Sequence, residues 1–541
     1  PPRSTLFPYT TLFRSIVFAL PTQATANAML ARAEAFAAKA YAGAPANVVL
    51  AHGKRDFNHV FEKLVMAGRN HTAQGRSEAG AQCAEWLAQS RKRVFLGQIG
   101  VCTVDQTLLS VLPVRHKFVR GFGLNKSVLI VDEVHAYDAY MHGLLGEVLR
   151  RQRASGGSAI LLSATLPSAI RNKLLGAWGA VSQQVMAYPA LWVAPSRHEG
   201  VAVPLAPITV MPEQEPKLRE VAVETLRLAG ALPDAALLDR IALSARAGAK
   251  VAVILNLVDA AQATVRRLRE MTELPVDVFH ARYRFIDRQV KEEAVLKHYG
   301  RAAQRGEGRI LVATQVVEQS LDLDFDWMVT QICPVDLLFQ RLGRLHRHEW
   351  RERPPGYERP SCTVVTVEGT DYGLHKLIYG NTRVLWRTQR WLEKEGRVLF
   401  PGAYRAWIES VYDDGDWPDE PAAVTRDFND WMGKQYAANQ AALAMIATPR
   451  LRQFDDGPDI TIATRDGEMS LNVLPLLDDG RLLDGTDLGR LEERQQAETL
   501  ALNAIPVPHS WLGLFQENAI KADESGHFPL RFRADGVAHL V

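Results

Sequence analysis

Val128-Leu129-Ile130-Val131-Asp132-Glu133-Val134-His135 decides the fold of this chain. Its apolar half is rich in β-branched residues and reads as a buried strand, which ends abruptly in two adjacent carboxylates. Charges at the end of a buried strand are costly unless a cation or a functional partner meets them. A nucleoside-triphosphate site is the common arrangement that meets them. In it Asp132 would hold Mg²⁺ through water, and Glu133 would polarise the attacking water. A strand that simply exits into solvent is the plain alternative, and the rest of the chain decides between the two.

Around this stretch, short β-rich runs alternate with longer amphipathic ones, the pattern of an α/β fold with parallel sheets and crossover helices. The first series predicts strands over Ile16–Leu20, Val48–Leu50, Val94–Leu96, Val128–Val131 and Ala159–Leu162. A stretch bearing Pro189, Pro195, Pro204 and Pro207 breaks the rhythm. The second series predicts Val251–Leu255, Val276–Phe279, Ile310–Ala313, Met328–Ile332 and Thr363–Val367. Two tandem doubly wound lobes follow, expected over residues 16–205 and 206–385, with ligand sites at the carboxyl ends of their strands. Residues 386–447 read as a helical linker, including a polar helix over 425–447 with Trp431, Tyr436, Leu443 and Met445 as its apolar positions. Residues 448–541 read as a small carboxyl-terminal domain, where the pairs Asp456-Gly457, Asp466-Gly467, Asp479-Gly480, Asp484-Gly485 and Asp535-Gly536 predict hairpins.

The 541 residues call for several domains, and 47% hydrophobic with 23% charged residues is ordinary for a globular protein. A net charge of +2 leaves no global basic field, so any nucleic-acid binding must come from local grooves. Cys83, Cys102, Cys333 and Cys362 are far apart in sequence, which argues against a disulfide framework or zinc cluster and fits a reducing compartment. No apolar run approaches the roughly 18 residues of a membrane span, and the expected location is cytoplasmic. Residues 1–15, PPRSTLFPYTTLFRS, have no Met, Asp, Glu or Lys and nearly repeat themselves; they read as a non-native segment similar to translated sequencing adapter.

Two further motifs bear on the acidic box. Ala159-Ile160-Leu161-Leu162 runs into Ser163-Ala164-Thr165, a second buried strand ending in hydroxyls, which can bond carboxylates or backbone and relay small shifts. Farther on stands Gln340-Arg341-Leu342-Gly343-Arg344-Leu345-His346-Arg347-His348. At helical spacing Gln340, Arg344 and Arg347 would share one face. Such a face suits polyphosphate oxygens, which guanidinium engages with two parallel donors. The carboxylates and the arginines fall on different expected lobes. A site drawing on both would be complete only on closure, coupling hydrolysis to domain motion.

Together these motifs resemble the helicases of superfamily two, with RecA-like lobes. The finer resemblance is to the CRISPR-associated helicase–nuclease of type I systems. It rests also on Phe18-Ala19-Leu20-Pro21-Thr22-Gln23-Ala24-Thr25-Ala26-Asn27, on Val104-Asp105-Gln106 with Leu112-Pro113-Val114-Arg115-His116, on Ala313 to Asp322, and on Pro334 to His348. It covers residues 16 to about 385 and implies ATP and Mg²⁺ as cofactors. It implies that Asp132 and Glu133 serve the metal and the attacking water, and that His135 couples the site to the nucleic-acid cleft. Ser163 and Thr165 would link hydrolysis to movement, while Gln340, Arg344 and Arg347 would meet the γ-phosphate. Single-stranded DNA would meet Pro21, Thr22, Gln23, Thr103, Asp105 and Gln106 on the first lobe. On the second it would meet Asn256, His280, Arg282, Thr314, Glu318 and Ser320. Such contacts track phosphates without reading bases. The implied activity is ATP-dependent 3′-to-5′ translocation on the strand displaced in an R-loop, in partnership with the type I surveillance complex (Cascade).

Two features of that family are not found in the sequence. Gly-Lys occurs only at Gly53-Lys54 and Gly433-Lys434, neither followed by Ser or Thr, so the phosphate-cradling loop is not seen. None of the 15 histidines precedes an Asp, so no nuclease metal motif is seen either. The expectation is an amino-terminally truncated chain with impaired ATP hydrolysis, its nuclease lying on the missing part or on a separate chain. A general superfamily-two DNA or RNA helicase, and a catalytically inactive nucleic-acid-binding module, remain as alternatives.

Overall fold

The computed structural model describes residues 15–41, 45–74, 80–114, 116–182, 188–194, 200–201, 203–204, 217–230, 232–304, 306–318, 321–348, 352–447, 464, 470–523, 525–532 and 538–539. The repetitive segment 1–14, Ser320 and three of the Asp-Gly pairs (at 456, 466 and 535) lie outside these residues.

The chain divides into two compact units. Unit one holds residues 1–218, 400–419 and 425–466; unit two holds 219–399, 420–424 and 467–541. Unit one is built on a six-stranded sheet in the order Ala81–Gln82, Ala46–Ala51, Ile99–Thr103, Ile16–Leu20, Val128–Val131, Ser158–Leu161. Its pairings are all parallel. Ile16–Leu20 lies at its centre, with Phe18 level with Val101 on one side and Ile130 on the other. Fully buried Val17, Val49, Val101 and Leu129 form the core with apolar faces of the crossover helices, such as Leu30 of Gln23–Ala40 and Leu144 of Ala139–Ala154.

Unit two carries a seven-stranded sheet in the order Val276–Phe279, Arg309–Ala313, Lys250–Ile254, Trp327–Gln331, Ser361–Thr366, Arg219–Arg227, Arg397–Phe400. Its first six strands are parallel neighbours. The five strands from Val276–Phe279 to Ser361–Thr366 repeat the connectivity of the five from Ala46–Ala51 to Ser158–Leu161 in unit one. In both, the first strand of the five in sequence lies between the third and the fourth, so the two units are variants of one doubly wound lobe. Residues 470–539 add a mixed four-stranded sheet to unit two, with Leu471–Leu477 paired parallel to His527–Phe532 and antiparallel to Ile505–Val507. Its turns use Gly480 and Gly485 at positive φ, 81° and 85°, where a side chain would be strained.

The expected strand at Val94–Leu96 is instead a 3₁₀ turn over Arg91–Leu96, and the strand is Ile99–Thr103. Ser90 Oγ accepts from Lys92 N at 3.3 Å and starts the turn, which buries Val94 and Phe95. The polar helix runs over Ala422–Ala447. No helix among the described residues is long and apolar enough to cross a membrane.

Candidate nucleotide and nucleic-acid site

The acidic box sits at the carboxyl end of Val128–Val131, and local backbone fixes both carboxylates. Asp132 N donates to Ala19 O at 3.0 Å, which extends the sheet by one residue, and Asp132 Oδ1 accepts from Glu133 N at 3.0 Å. Glu133 takes a left-handed conformation, φ 52° and ψ 44°, unusual for a residue with a Cβ. The chain therefore turns sharply and carries His135 to the neighbouring strand end. There His135 Nδ1 lies 3.3 Å from Glu133 Oε2 and 2.8 Å from Ser163 Oγ. Ser163 Oγ also accepts from Thr165 N at 3.3 Å. His135 thus hydrogen-bonds the Ser-Ala-Thr turn and lies within ion-pair distance of the Glu133 carboxylate, linking the two strand ends.

Burial raises the Asp132 carboxyl above its ordinary range, opposed by its bond to Glu133 N and by His135. A half-buried carboxylate that resists ionising is a donor that gains by meeting a cation, so this pair fits a Mg²⁺-bound nucleotide. Two residues not foreseen support the turn. Tyr137 OH donates to Asp132 O at 2.8 Å, and His142 Nε2 donates to Val134 O at 2.9 Å. Burial drives the His142 pKa down to about 4, so it stays neutral.

The other expected residues of unit one stand at or just after neighbouring strand ends, Gln23, Asp105 and Gln106 in the helices that follow. Pro21 follows the strand Ile16–Leu20. Thr22 caps the helix Gln23–Ala40 in a reciprocal box with Thr25, whose N donates to Thr22 Oγ1 at 3.2 Å while Thr22 N donates back to Thr25 Oγ1 at 3.1 Å. Thr103 ends Ile99–Thr103 and precedes the short helix Val104–Leu108. Asp105 Oδ1 accepts from Thr464 Oγ1 at 2.7 Å, and Gln106 Oε1 accepts from Arg120 at 3.4 Å.

In unit two the helix Val335–Leu342 stops before the arginines it was expected to carry. Gly343 caps it, and His346 adopts φ 41°. Gln340, Arg344 and Arg347 therefore do not share a helical face. Arg344 donates from Nε to Val317 O at 3.2 Å and from Nη2 to Glu318 O at 2.6 Å. Arg347 Nε reaches Asp322 Oδ1 at 2.5 Å in a half-exposed pair. Each arginine instead bonds the segment after Arg309–Ala313, Arg344 at Val317 and Glu318 and Arg347 at Asp322.

Arg341, not assigned a role from the sequence, is the hub of that segment. It is fully buried and all five of its N–H groups are used. Nε meets Glu318 Oε1 at 2.7 Å, Nη1 meets Thr330 Oγ1 and Gln331 O, and Nη2 meets Asn256 Oδ1 and Tyr379 OH. Asn256, expected to face DNA, instead spends its side chain on Arg341, Tyr379, Ile332 O and His375. Glu318 is likewise buried against Arg341. Thr314 is buried at the end of Arg309–Ala313. His280 is buried too, its Nδ1 accepting from Arg282 N at 3.2 Å, while Arg282 reaches Asp259 at 2.9 Å and lies 5.9 Å from the Trp511 ring centre. Asn256, Glu318 and His280 thus shape the loops. The more exposed Arg282 and Arg347 are the residues this geometry offers to a ligand.

Residues 247–350 match the family model of the CRISPR-associated nuclease/helicase Cas3, C-terminal, and residues 468–540 that of the CRISPR-associated endonuclease/helicase Cas3, fourth domain. Over 525 residues, 95% of this chain, the sequence is 47% identical to the CRISPR-associated endonuclease/helicase Cas3 of Escherichia coli strain K12. The chain belongs to the Cas3 family. The Cas3 of Thermus thermophilus is 36% identical over 585 residues, 92% of this chain. The crystal structures of T. fusca Cas3 and its AMPPNP form superpose with TM-scores of 0.82 and 0.78, each at 25% identity over 97% of this chain and 63% of theirs. The chain spans 58% and 61% of the length of its E. coli and Thermus Cas3 relatives.

Proposed function

We propose that this chain is the motor part of an ATP-dependent, 3′-to-5′ single-stranded DNA translocase and helicase acting in type I CRISPR interference. Residues 16–205 and 206–385 would serve as its two lobes, 386–447 as the linker and 448–541 as an accessory domain. The observation that carries this reading is the position of His135 between Glu133 and Ser163. It ties a carboxylate suited to activating water to the next strand end by contacts of 3.3 and 2.8 Å. Asp132 would hold the Mg²⁺ of a bound nucleotide, and Glu133 would orient the water that attacks it. Arg344 and Arg347 would meet the γ-phosphate with cationic groups and Gln340 with a neutral amide, and Ser163 and Thr165 would pass the change onward.

The AMPPNP form of T. fusca Cas3 supports nucleotide use. Single-stranded DNA would run past Thr22, Gln23, Asp105 and Gln106, and past Arg282 and Ser320; Pro21, Thr103 and Thr314, also expected to face DNA, are buried and shape these loops instead. The displaced strand of an R-loop is the proposed track, the surveillance complex the proposed recruiter, and a nuclease domain the proposed user of the unwound strand. Binding of a labelled single strand and a duplex of equal length to the purified chain tests the reading. Clear preference for the single strand is expected; equal affinity for both would refute it.

A further inference from the structure

The segment that begins at the Ser-Ala-Thr turn is held at its far end as well as at His135. The helix Ser168–Trp178 follows the turn, and its cap position, Pro167, offers no side-chain acceptor to the first amides. Glu409 supplies that acceptor from another element of unit one. Its Oε2 accepts from Ser168 N at 3.2 Å and its Oε1 from Ser168 Oγ at 2.7 Å. A carboxylate placed there also meets the positive end of the helix. Arg405, one turn before Glu409 in the helix Gly402–Val411, donates from Nη1 to Glu409 Oε1 at 2.5 Å and to Leu166 O at 3.4 Å. Arg171 of the capped helix is 5% exposed and lies 4.5 Å from the Trp192 ring centre. Burial lowers its pKa, and the charge of Glu409 opposes that.

Residues 163–168 are thus bonded at one end to the histidine of the acidic box and at the other to Gly402–Val411. That helix is itself fixed, because Ala403, Trp407, Ile408 and Val411 fall on one face and are buried. Arg405 and Glu409, four residues apart, share a different face. Beyond it, residues 410–419 lead to Glu420, where the chain passes from unit one to unit two. Glu420 is anchored inside unit two, 1% exposed, by Arg383 at 2.6 Å and Arg387 at 2.9 Å. A glutamate therefore ties each end of this strap to its own unit.

We propose that Glu409 is a positioning residue that couples the Ser-Ala-Thr turn to residues 410–419, so that a shift of the turn during hydrolysis is drawn along the chain to unit two. Both oxygens of the carboxylate are committed to Ser168, so the turn, the capped helix and Gly402–Val411 move together. Without the cap the turn relaxes and the strap is left behind. The role rests on the proposed motor reading and adds residues outside the motifs that carried it. A cap that served the fold alone would change stability and leave the work done per ATP as it was.

The test uses this chain joined to upstream sequence bearing a Gly-Lys-Ser/Thr loop. ATP turnover with single-stranded DNA is measured beside displacement of a labelled strand from a duplex with a 3′ overhang. Glu409→Ala should keep strand-stimulated turnover within about twofold of the parent while displacement per ATP falls at least about tenfold, the weight of a charge-assisted hydrogen bond. Glu409→Gln, which keeps an oxygen acceptor for Ser168, should recover most of the displacement. Ser168→Ala, which loses the hydroxyl and keeps the amide, should show a smaller fall in the same ratio, and it decides the matter if Glu409→Ala loses its far-ultraviolet spectrum. An unchanged displacement per ATP in these variants, whether turnover holds or falls, overturns this inference alone. A parent without strand-stimulated turnover or displacement overturns it together with the motor reading.

Discussion

Replacing Glu318 by Gln removes one charge from a pair that has almost no access to water. The side chains of Arg341 and Glu318 are 0% and 4% exposed, with Glu318 Oε1 2.7 Å from the guanidinium. Burial alone pushes the Glu318 carboxyl up, and Arg341 opposes that push. The substitution keeps the side chain's size and one acceptor, so packing is preserved and the cost is electrostatic. Leaving a buried guanidinium without its counter-charge costs about 3–5 kcal/mol. For a unit of this size each kcal/mol lowers the midpoint by roughly 2–4 °C, so the transition of unit two should fall by roughly 6–20 °C. Arg341 also holds Asn256, Thr330 and Tyr379, so the loss should spread across the loop after Arg309–Ala313. The double variant Glu318→Gln/Arg341→Met should recover much of the loss, because it removes the stranded cation. Differential scanning calorimetry of the wild type, Glu318→Gln, Arg341→Met and the double variant reads this directly. A shift below about 2 °C in Glu318→Gln, or a double variant no better than the worse single one, would refute the assignment of Arg341 as a charged hub.

Glu420 is 1% exposed between Arg383 and Arg387, at 2.6 and 2.9 Å, so Glu420→Gln should destabilise unit two by about 3–5 kcal/mol in urea unfolding; a loss under 1 kcal/mol would contradict the buried triad. His52 and His280 have folded pKa values near 4, below their unfolded value of 6.5. Their contribution to stability is therefore complete above pH 6.5 and lost as pH falls through 4, on the order of 2 kcal/mol each by pH 5. Melting curves between pH 7 and 5 should show the fall, and His280→Gln should lessen it for unit two, where burial also lowers His346 to about 4; a flat wild-type profile would count against both buried imidazoles. In a longer chain that supplies a phosphate loop, Arg347→Ala should lower ATP turnover by roughly a thousandfold with little change in fold, and near-normal turnover would remove Arg347 from the site.

The sequence made the lobes legible because buried parallel strands are continuous apolar runs. Val128–Val131 was placed to the residue and Lys250–Ile254 to within one; Val276–Phe279 was also placed to the residue, although Asp277 interrupts its apolar run. Val94–Leu96 misled because a three-residue apolar run has no period, and the Ser90 cap decides for a turn. The true strand, Ile99–Thr103, was hidden by Gly100, which is there because a Cβ would meet Val94 O at 3.0 Å. Arg219–Arg227 was missed although its buried Val221 and Val223 alternate with exposed residues, since it follows closely on a proline-rich stretch. At the site, the acidic box and the Ser-Ala-Thr turn were readable as strand ends, but the strand before Ser163 is a half-exposed edge strand, with Ile160 45% and Leu162 46% exposed, and not the buried one expected. The arginines were not, because extrapolating the helix past Leu342 ignored Gly343 and the strained His346. The role of Arg341 depends on tertiary partners 10 to 85 residues away, which no local pattern reveals.

In the proposed function, Asp132, Glu133 and the contacts that reach Ser163 form the hydrolytic half of a nucleic-acid motor. The most direct test is steady-state ATP hydrolysis, with and without single-stranded DNA, by this chain joined to upstream sequence bearing a Gly-Lys-Ser/Thr loop, compared with its Glu133→Gln variant. DNA-stimulated turnover in the parent and a loss of at least about a hundredfold in the variant, with nucleotide binding retained, is the predicted result. Equal turnover in the two proteins, or turnover indifferent to DNA, would contradict it.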